Sequence, residues 1–180
     1  MANLFNYQGT GNLWDDVVMP PTAINPIGPD GAMAEDTTDI LGSYIAAAAG
    51  TPSCVALFQI PHTYAIGTTL HFHVHWVKND DADNAGAVIW EAKWRISPLN
   101  SAMGAYNDYA AGTLTVDPAD IRYHHAKTVW EIPATGVSLS TIIAISLRRN
   151  GGTSGSVNLI GLDIHIQKAQ HGSAIEYSLT

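Results

Sequence analysis

The chain has 180 residues, of which 46% are hydrophobic and only 13% charged, and its net charge is −8. That length suits one domain with a single core. The acidic balance excludes wrapping nucleic acid, which needs clustered Lys and Arg to displace counterions from phosphate, and Arg148-Arg149 is far too small a basic patch.

Cys54 is the one cysteine, so no internal disulfide can form. No run approaches about 18 unbroken apolar residues, which predicts no transmembrane helix. The opening "MANLFNYQGTGNLWDD" has no positive region followed by an apolar run, so no secretory leader is expected and the chain is read as made in a cytoplasm. A surface this poor in charge is covered by Ser, Thr, Asn, Gly and Ala, which often accompanies burial in an assembly.

Residues 1–42 read as an extended N-terminal arm. "MPPTAINPIGPDGAMAEDTTD" holds four prolines, each fixing φ and removing an amide donor, so it suits neither helix nor inner strand. Phe5, Trp14 and Met19 are among the apolar residues spaced along the arm, and a disordered tail would be poorer in them. The arm is therefore expected to lie on its own domain or on a neighbour. "GSYIAAAAG" reads as one or two helical turns. Residues 43–180 form the body.

From about residue 53 the pattern becomes short strands between turn residues, near 54–60, 69–77, 87–97, 113–117, 128–132, 139–148, 157–167 and 174–179. No helical pattern alternates with them, so a βαβ fold is not expected. The predicted class is all-β: a two-sheet β-sandwich of the jelly-roll type carrying the N-terminal arm.

Alternate residues of a strand face opposite sides. In "LHFHVHW", Leu70, Phe72, Val74 and Trp76 form an apolar face and His71, His73 and His75 the other. Val88, Trp90, Ala92, Trp94 and Ile96 likewise oppose Glu91, Lys93 and Arg95. Ile160, Leu162, Ile164 and Ile166 oppose Asp163, His165 and Gln167. If these strands share a sheet, its outer face gathers His71, His73, His75, Glu91, Lys93, Arg95, Asp163 and His165. Such a face can hold a divalent metal on His71, His73 and His75, since imidazole is a good ligand and alternate histidines lie about 7 Å apart along the backbone. It can equally be a metal-free subunit contact, or a solvated polar face.

The remaining candidates are weaker. His62, in a turn marked by Pro61 and Gly67, reads as structural. His124 and His125 are adjacent, cannot point the same way on a strand, and are not read as ligands. "NDDADNAG" carries D-x-D but not the spacing or closing Glu of an EF-hand. Cys54 opens an apolar strand and reads as core. No nucleophile elbow, P-loop, dinucleotide turn or H-E-x-x-H helix is present, so no catalytic residue is assigned and no enzyme is expected.

Three segments, "FQIPHTYAIGTTLHFHVHWVKND", "AVIWEAKWRIS" and "GLDIHIQKAQHGSAIEYSL", resemble a family of tailed-bacteriophage virion structural proteins. In that family a "PH…G…LH.H.HW" segment precedes a Trp-rich strand, and "D.H….D..GS" lies near the C-terminus. The matching residues are Pro61, His62, Gly67, Leu70, His71, His73, His75, Trp76, Trp90, Trp94, Asp163, His165, Gly172 and Ser173. The resemblance covers roughly 57–96 and 159–177. Gln170-His171 stand where the pattern has an aspartate, so no role of that acid carries over.

The resemblance implies a capsid decoration (cement) protein on the capsid surface. It would trimerise and bridge subunits of the major capsid protein, without nucleic acid, membrane or obligatory cofactor. Phe5, Trp14 and Met19 are the residues expected to touch the capsid. His71, His73, His75, Glu91, Arg95, Asp163 and His165 are those expected at the trimer contact. Two alternatives stay open. One is a fibre component or carbohydrate-binding module using Tyr106, Tyr109 or Tyr123 as sugar platforms. The other is a cupin-like metalloenzyme built on His71, His73 and His165.

Overall fold

A computed structural model describes residues 13–20, 23–26, 34–35, 44–46, 54–78, 86–116, 125–152 and 157–169. Seven strands carry the body: β5 (Cys54–Gln59), β6 (Leu70–Lys78), β7 (Gly86–Ser97), β8 (Ala110–Val116), β9 (His125–Ile132), β10 (Ile142–Gly152) and β11 (Val157–Gln167). Four more precede them: β1 (Trp14–Met19) and the short β2 (Asn25–Pro26), β3 (Ala34–Glu35) and β4 (Tyr44–Ala46).

Every pairing among these strands is antiparallel. Sheet A runs β3-β4-β11-β6-β9, and sheet B runs β2-β5-β10-β7-β8. From β4 onward the chain changes sheet at every connection except β7 to β8. The resulting order, β4-β11-β6-β9 against β5-β10-β7-β8, is two interleaved Greek keys, which is the jelly roll.

The apolar faces meet between the sheets. Phe58, Phe72, Trp76, Trp90, Ile143, Ile145, Leu147, Ile164 and Ile166 are among the buried side chains there. Buried indoles need partners for their N–H groups. Trp130 Nε1 donates to the Ala110 carbonyl at 3.0 Å, and Trp76 Nε1 donates to Thr128 Oγ1 at 3.2 Å. Both bonds anchor β9. Gly112 permits a close approach: a Cβ there would stand 2.5 Å from Thr128 Cγ2 and 2.6 Å from the Trp130 ring. At Gly67 the need is conformational, because φ is +89° in the turn that leads into β6.

Three departures from the sequence reading matter. The N-terminal span supplies β1, β2 and β3, and β1 pairs with β11 from Trp14↔Gln167 to Met19↔Leu162. β4 and β1 thus lie end to end along one edge of β11, the other edge being taken by β6. Tyr44–Ala46 is a strand rather than a helical turn, because that open edge takes the backbone bonds a lone turn would leave to water. Finally, the register of β11 against β6 shifts between Leu159 and Gly161. This bulge changes the phase, so Val157 and Leu159 enter the core while Ile160 stays half-buried. The expected strand at 174–179 lies outside the described residues.

Candidate functional site

The outer face of sheet A collects titratable side chains from four neighbouring strands. Across the sheet, Asp16, His165, His71 and Glu131 stand in one row. Val18, Asp163, His73 and Val129 stand in the next. His75 opposes Gly161, whose missing side chain leaves it room to reach diagonally to Asp163.

Asp163 is the hub. Its Oδ2 accepts from His75 Nε2 at 2.6 Å. Its Oδ1 lies 3.1 Å from His73 Nδ1 and 3.4 Å from His165 Nε2. His165 Nε2 also lies 3.1 Å from Asp16 Oδ1 on β1. With the His75 Nε2 proton turned to the carboxylate, His75 Nδ1 is an acceptor and takes the Nε2–H of His125 at 2.7 Å. The result is a relay from β9 through β6 to β11. His73 and Asp163 are 4% and 7% exposed, although both lie on the outer face. Yet the 3.1 Å approach between them is poorly aligned. His73 Nδ1 and Asp163 Oδ1 have no aligned hydrogen-bond partner among the described residues.

Electrostatics follow from this crowding. Burial opposes ionisation of Asp163, but the close approach of His73, the hydrogen bond from His75 and the charges of both rings more than offset it, holding the carboxyl below its ordinary range. Burial lowers the imidazole pKa of His165, and the neighbouring His73 adds to this against the pull of Asp163 and Asp16. Burial also lowers that of His125, with His75 adding to it. The cluster thus sets a buried anion, Asp163, beside two imidazoles, His125 and His165, that resist protonation.

A rim of apolar side chains surrounds the cluster. Trp14, Val18 and Val129 are 44%, 66% and 41% exposed on the same face. Trp14 lies edge-on to His71, with ring centroids 5.1 Å apart.

Of the expected site residues, His71, His73, His75, Asp163 and His165 share this face. Glu91 and Arg95 do not. β7 pairs with β10 and β8 in sheet B, so Glu91, Lys93 and Arg95 sit on the opposite outer surface of the sandwich. The two strands have the same alternation, and alternation cannot say which sheet a strand joins. The expected metal trio also changes composition. His71 lies against Trp14, whereas His73, Asp163 and His165 offer ligand atoms within 4.8 Å of one another.

On sheet B, Glu91 accepts from Arg148 Nε at 2.6 Å and from Asn150 Nδ2 at 2.5 Å. Tyr106 and Tyr109 fold back over this face. Lys93 Nζ lies 5.0 and 4.6 Å from their ring centroids, Arg95 Cζ 4.6 Å from Tyr106, and Arg148 Cζ 3.9 Å from Tyr109. Tyr109 also shares a 3.1 Å hydrogen bond with Ser146. Tyr123, Phe5, His124 and the "NDDADNAG" loop lie outside the described residues, save that loop's final Gly86, which opens β7.

Met19 packs against the core rather than standing free, and Trp14 is exposed. His62 hydrogen-bonds Ser140 Oγ at 2.9 Å, tying two turns together. Cys54 is fully buried, and burial pushes its thiol up to about 12, which removes it as a nucleophile.

Two participants escaped the sequence reading. Asp16 was hidden in a segment read as an arm. His125 was set aside for its neighbour His124, although Thr128, Trp130 and Ile132 point inward and alternation from them puts position 125 outward.

No family model matches the chain, and no curated protein matches it. Among solved structures it is similar to the CBM22-1–GH10 modules of Clostridium thermocellum endo-1,4-beta-D-xylanase 10B complexed with xylohexaose, at 12% identity and TM-score 0.47, covering 91% of this chain and 29% of that one. It is also similar to a xylan-binding module CBM15, at 12% identity and TM-score 0.43 over 88% of this chain and 100% of that one. A third is the CBM35 of Cellvibrio japonicus Abf62, at 11% identity and TM-score 0.44 over 86% and 99%. At such identities and scores no binding property passes from them to this chain.

Proposed function

We propose that the chain is a non-enzymatic virion component, a capsid decoration protein, that meets sister copies through the outer face of sheet A. The observation that carries this is the pairing of a buried imidazole–carboxylate cluster with the exposed Trp14, Val18 and Val129 around it. An apolar rim beside a desolvated polar centre is an arrangement that a protein partner can cover. The low charge of the chain fits the same reading, and so does the resemblance of the "PH…LH.H.HW" segment to phage virion proteins. Around a three-fold axis, His71 and His75 would meet the same residues of sister chains, and the partner beneath them would be the major capsid protein. Contacts repeated at many equivalent sites add avidity, so each need not be strong. The role is mechanical: bridging capsid subunits against the outward pressure of packaged DNA. Electron cryo-microscopy of intact particles tests it. Density for the chain over local three-fold axes is expected, and its absence from the head would refute the reading.

A second reading, a carbohydrate-binding module, draws on one feature. Trp14 offers an exposed ring beside imidazole and carboxylate groups, the combination a sugar ring stacks on and hydrogen-bonds to. Tyr106 and Tyr109 are poorer platforms, since cations lie over their rings. Glycan-array binding that is lost in Trp14→Ala would favour this reading over assembly.

A further inference from the structure

We infer that His73, His165, Asp163 and Asp16 form a site for one divalent transition metal, of the zinc type, that clips β1 to the body of the sandwich. The inference does not depend on the assembly reading, because all four residues come from one chain.

Four donor atoms converge at the junction of β1, β11 and β6. His73 Nδ1 lies 3.1 Å from Asp163 Oδ1, His165 Nε2 lies 3.4 Å from the same oxygen, and His165 Nε2 lies 3.1 Å from Asp16 Oδ1. In a tetrahedral centre with bonds of about 2.0–2.1 Å, neighbouring ligand atoms stand roughly 3.3 Å apart. Those three separations match three of that centre's six edges, and the ligand atoms of His73, Asp163 and His165 all lie within 4.8 Å of one another, so the four side chains would close inward on a small cation.

Protons alone do not account for the same geometry. Two carboxylate oxygens approach one nitrogen, His165 Nε2, which can carry a single proton. His73 Nδ1 and Asp163 Oδ1 are buried with no aligned hydrogen-bond partner among the described residues. A buried polar atom left unpaired in this way calls for an ion or water. A cation would engage the lone pairs of all four atoms at once.

The donor set selects the ion. Two imidazoles with two carboxylates suit zinc, or cobalt in its place, better than calcium or magnesium, which prefer all-oxygen sites. Outer support is in place too: His75 donates to the second oxygen of Asp163 at 2.6 Å and is itself held by His125 at 2.7 Å. With four protein ligands the site is closed, as structural zinc sites are, and leaves no open position for a substrate.

The test is calorimetric titration of chelator-stripped full-length protein with zinc, and optical titration with cobalt. One ion per chain is expected, with the intense visible absorption of tetrahedral cobalt and a raised melting temperature. Asp16→Asn, at an exposed position, and His165→Gln, half-buried, should both remain folded by circular dichroism. Each should weaken zinc binding by at least about 100-fold, beyond the range seen for losing outer support alone. His62→Gln, whose ring bonds Ser140 outside the cluster, should bind as the native chain does. Three results would each overturn the proposal: no uptake at micromolar zinc, one ion per three chains, or affinity unchanged in both Asp16→Asn and His165→Gln.

Discussion

The two outer faces of the sandwich carry similar sequence patterns and opposite physics. On sheet B the charges of β7 find partners within the chain. Glu91 is held by Arg148 and Asn150, while Lys93, Arg95 and Arg148 lie against Tyr106 and Tyr109. On sheet A the central pair, His73 and Asp163, is buried without aligned hydrogen bonding between its close atoms, and Trp14, Val18 and Val129 around it face solvent, whereas sheet B exposes Leu57 and leaves Arg95 Nε without an aligned hydrogen-bond partner among the described residues. The face that buries Asp163 among imidazoles and leaves Val18 and Val129 bare is the one on which the proposed contact with sister chains is placed.

The sharpest way to break this comparison is to remove the hub of each face in metal-free protein. Asp163→Ala leaves a buried imidazole cluster without its anion and should cost about 3 kcal/mol of unfolding free energy. Glu91→Gln, where the partner Arg148 is nearer solvent, should cost about 1 kcal/mol. Chemical denaturation measures both. Equal costs would mean that the two faces are energetically alike.

A smaller effect is expected from pH. His125 is faced by His75, Asp163 and Lys127, and His165 by His73, Asp163, Asp16 and Lys127. Burial holds both imidazoles below their ordinary 6.5, so as pH falls the unfolded chain takes up protons first. Their contribution to stability is complete above pH 6.5 and declines as pH falls from there toward their folded values. Asp163 has its carboxyl below the ordinary 3.8, so its contribution is complete above pH 3.8 and is lost as pH falls through its folded value. Melting curves of chelator-treated protein should show the first decline, and the double variant His125→Gln, His165→Gln should lack it. A native curve that stays flat below pH 6.5 would sever the link between crowding and stability.

Much of the fold was legible because alternation is a local signal. The core face of β6, from Leu70 to Trp76, and the inward Ile164 and Ile166 of β11 can be read residue by residue. What stayed hidden depends on distant partners. Nothing within "AVIWEAKWRIS" says that β7 joins β10 rather than β6, so Glu91 and Arg95 were placed on the wrong side of the sandwich. The bulge before Gly161 resets the phase of β11 and exchanges Ile160 for Leu159 in the core. Asp16 could not be recognised as a neighbour of His165 until β1 was known to pair with β11. The histidine row was visible as a row, but its hub, Asp163, becomes central only through the register of two strands some 90 positions apart in the chain.

Whether the outer face of sheet A joins sister chains can be measured directly. Light scattering on the purified full chain at micromolar concentration, compared with Val129→Lys, measures this. Val129 is exposed, so the substitution should change stability by no more than about 0.5 kcal/mol. The native chain is expected to run at three times the monomer mass and the variant at the monomer mass. A native monomer, or a trimer that the new lysine leaves intact, would contradict the assignment of that face.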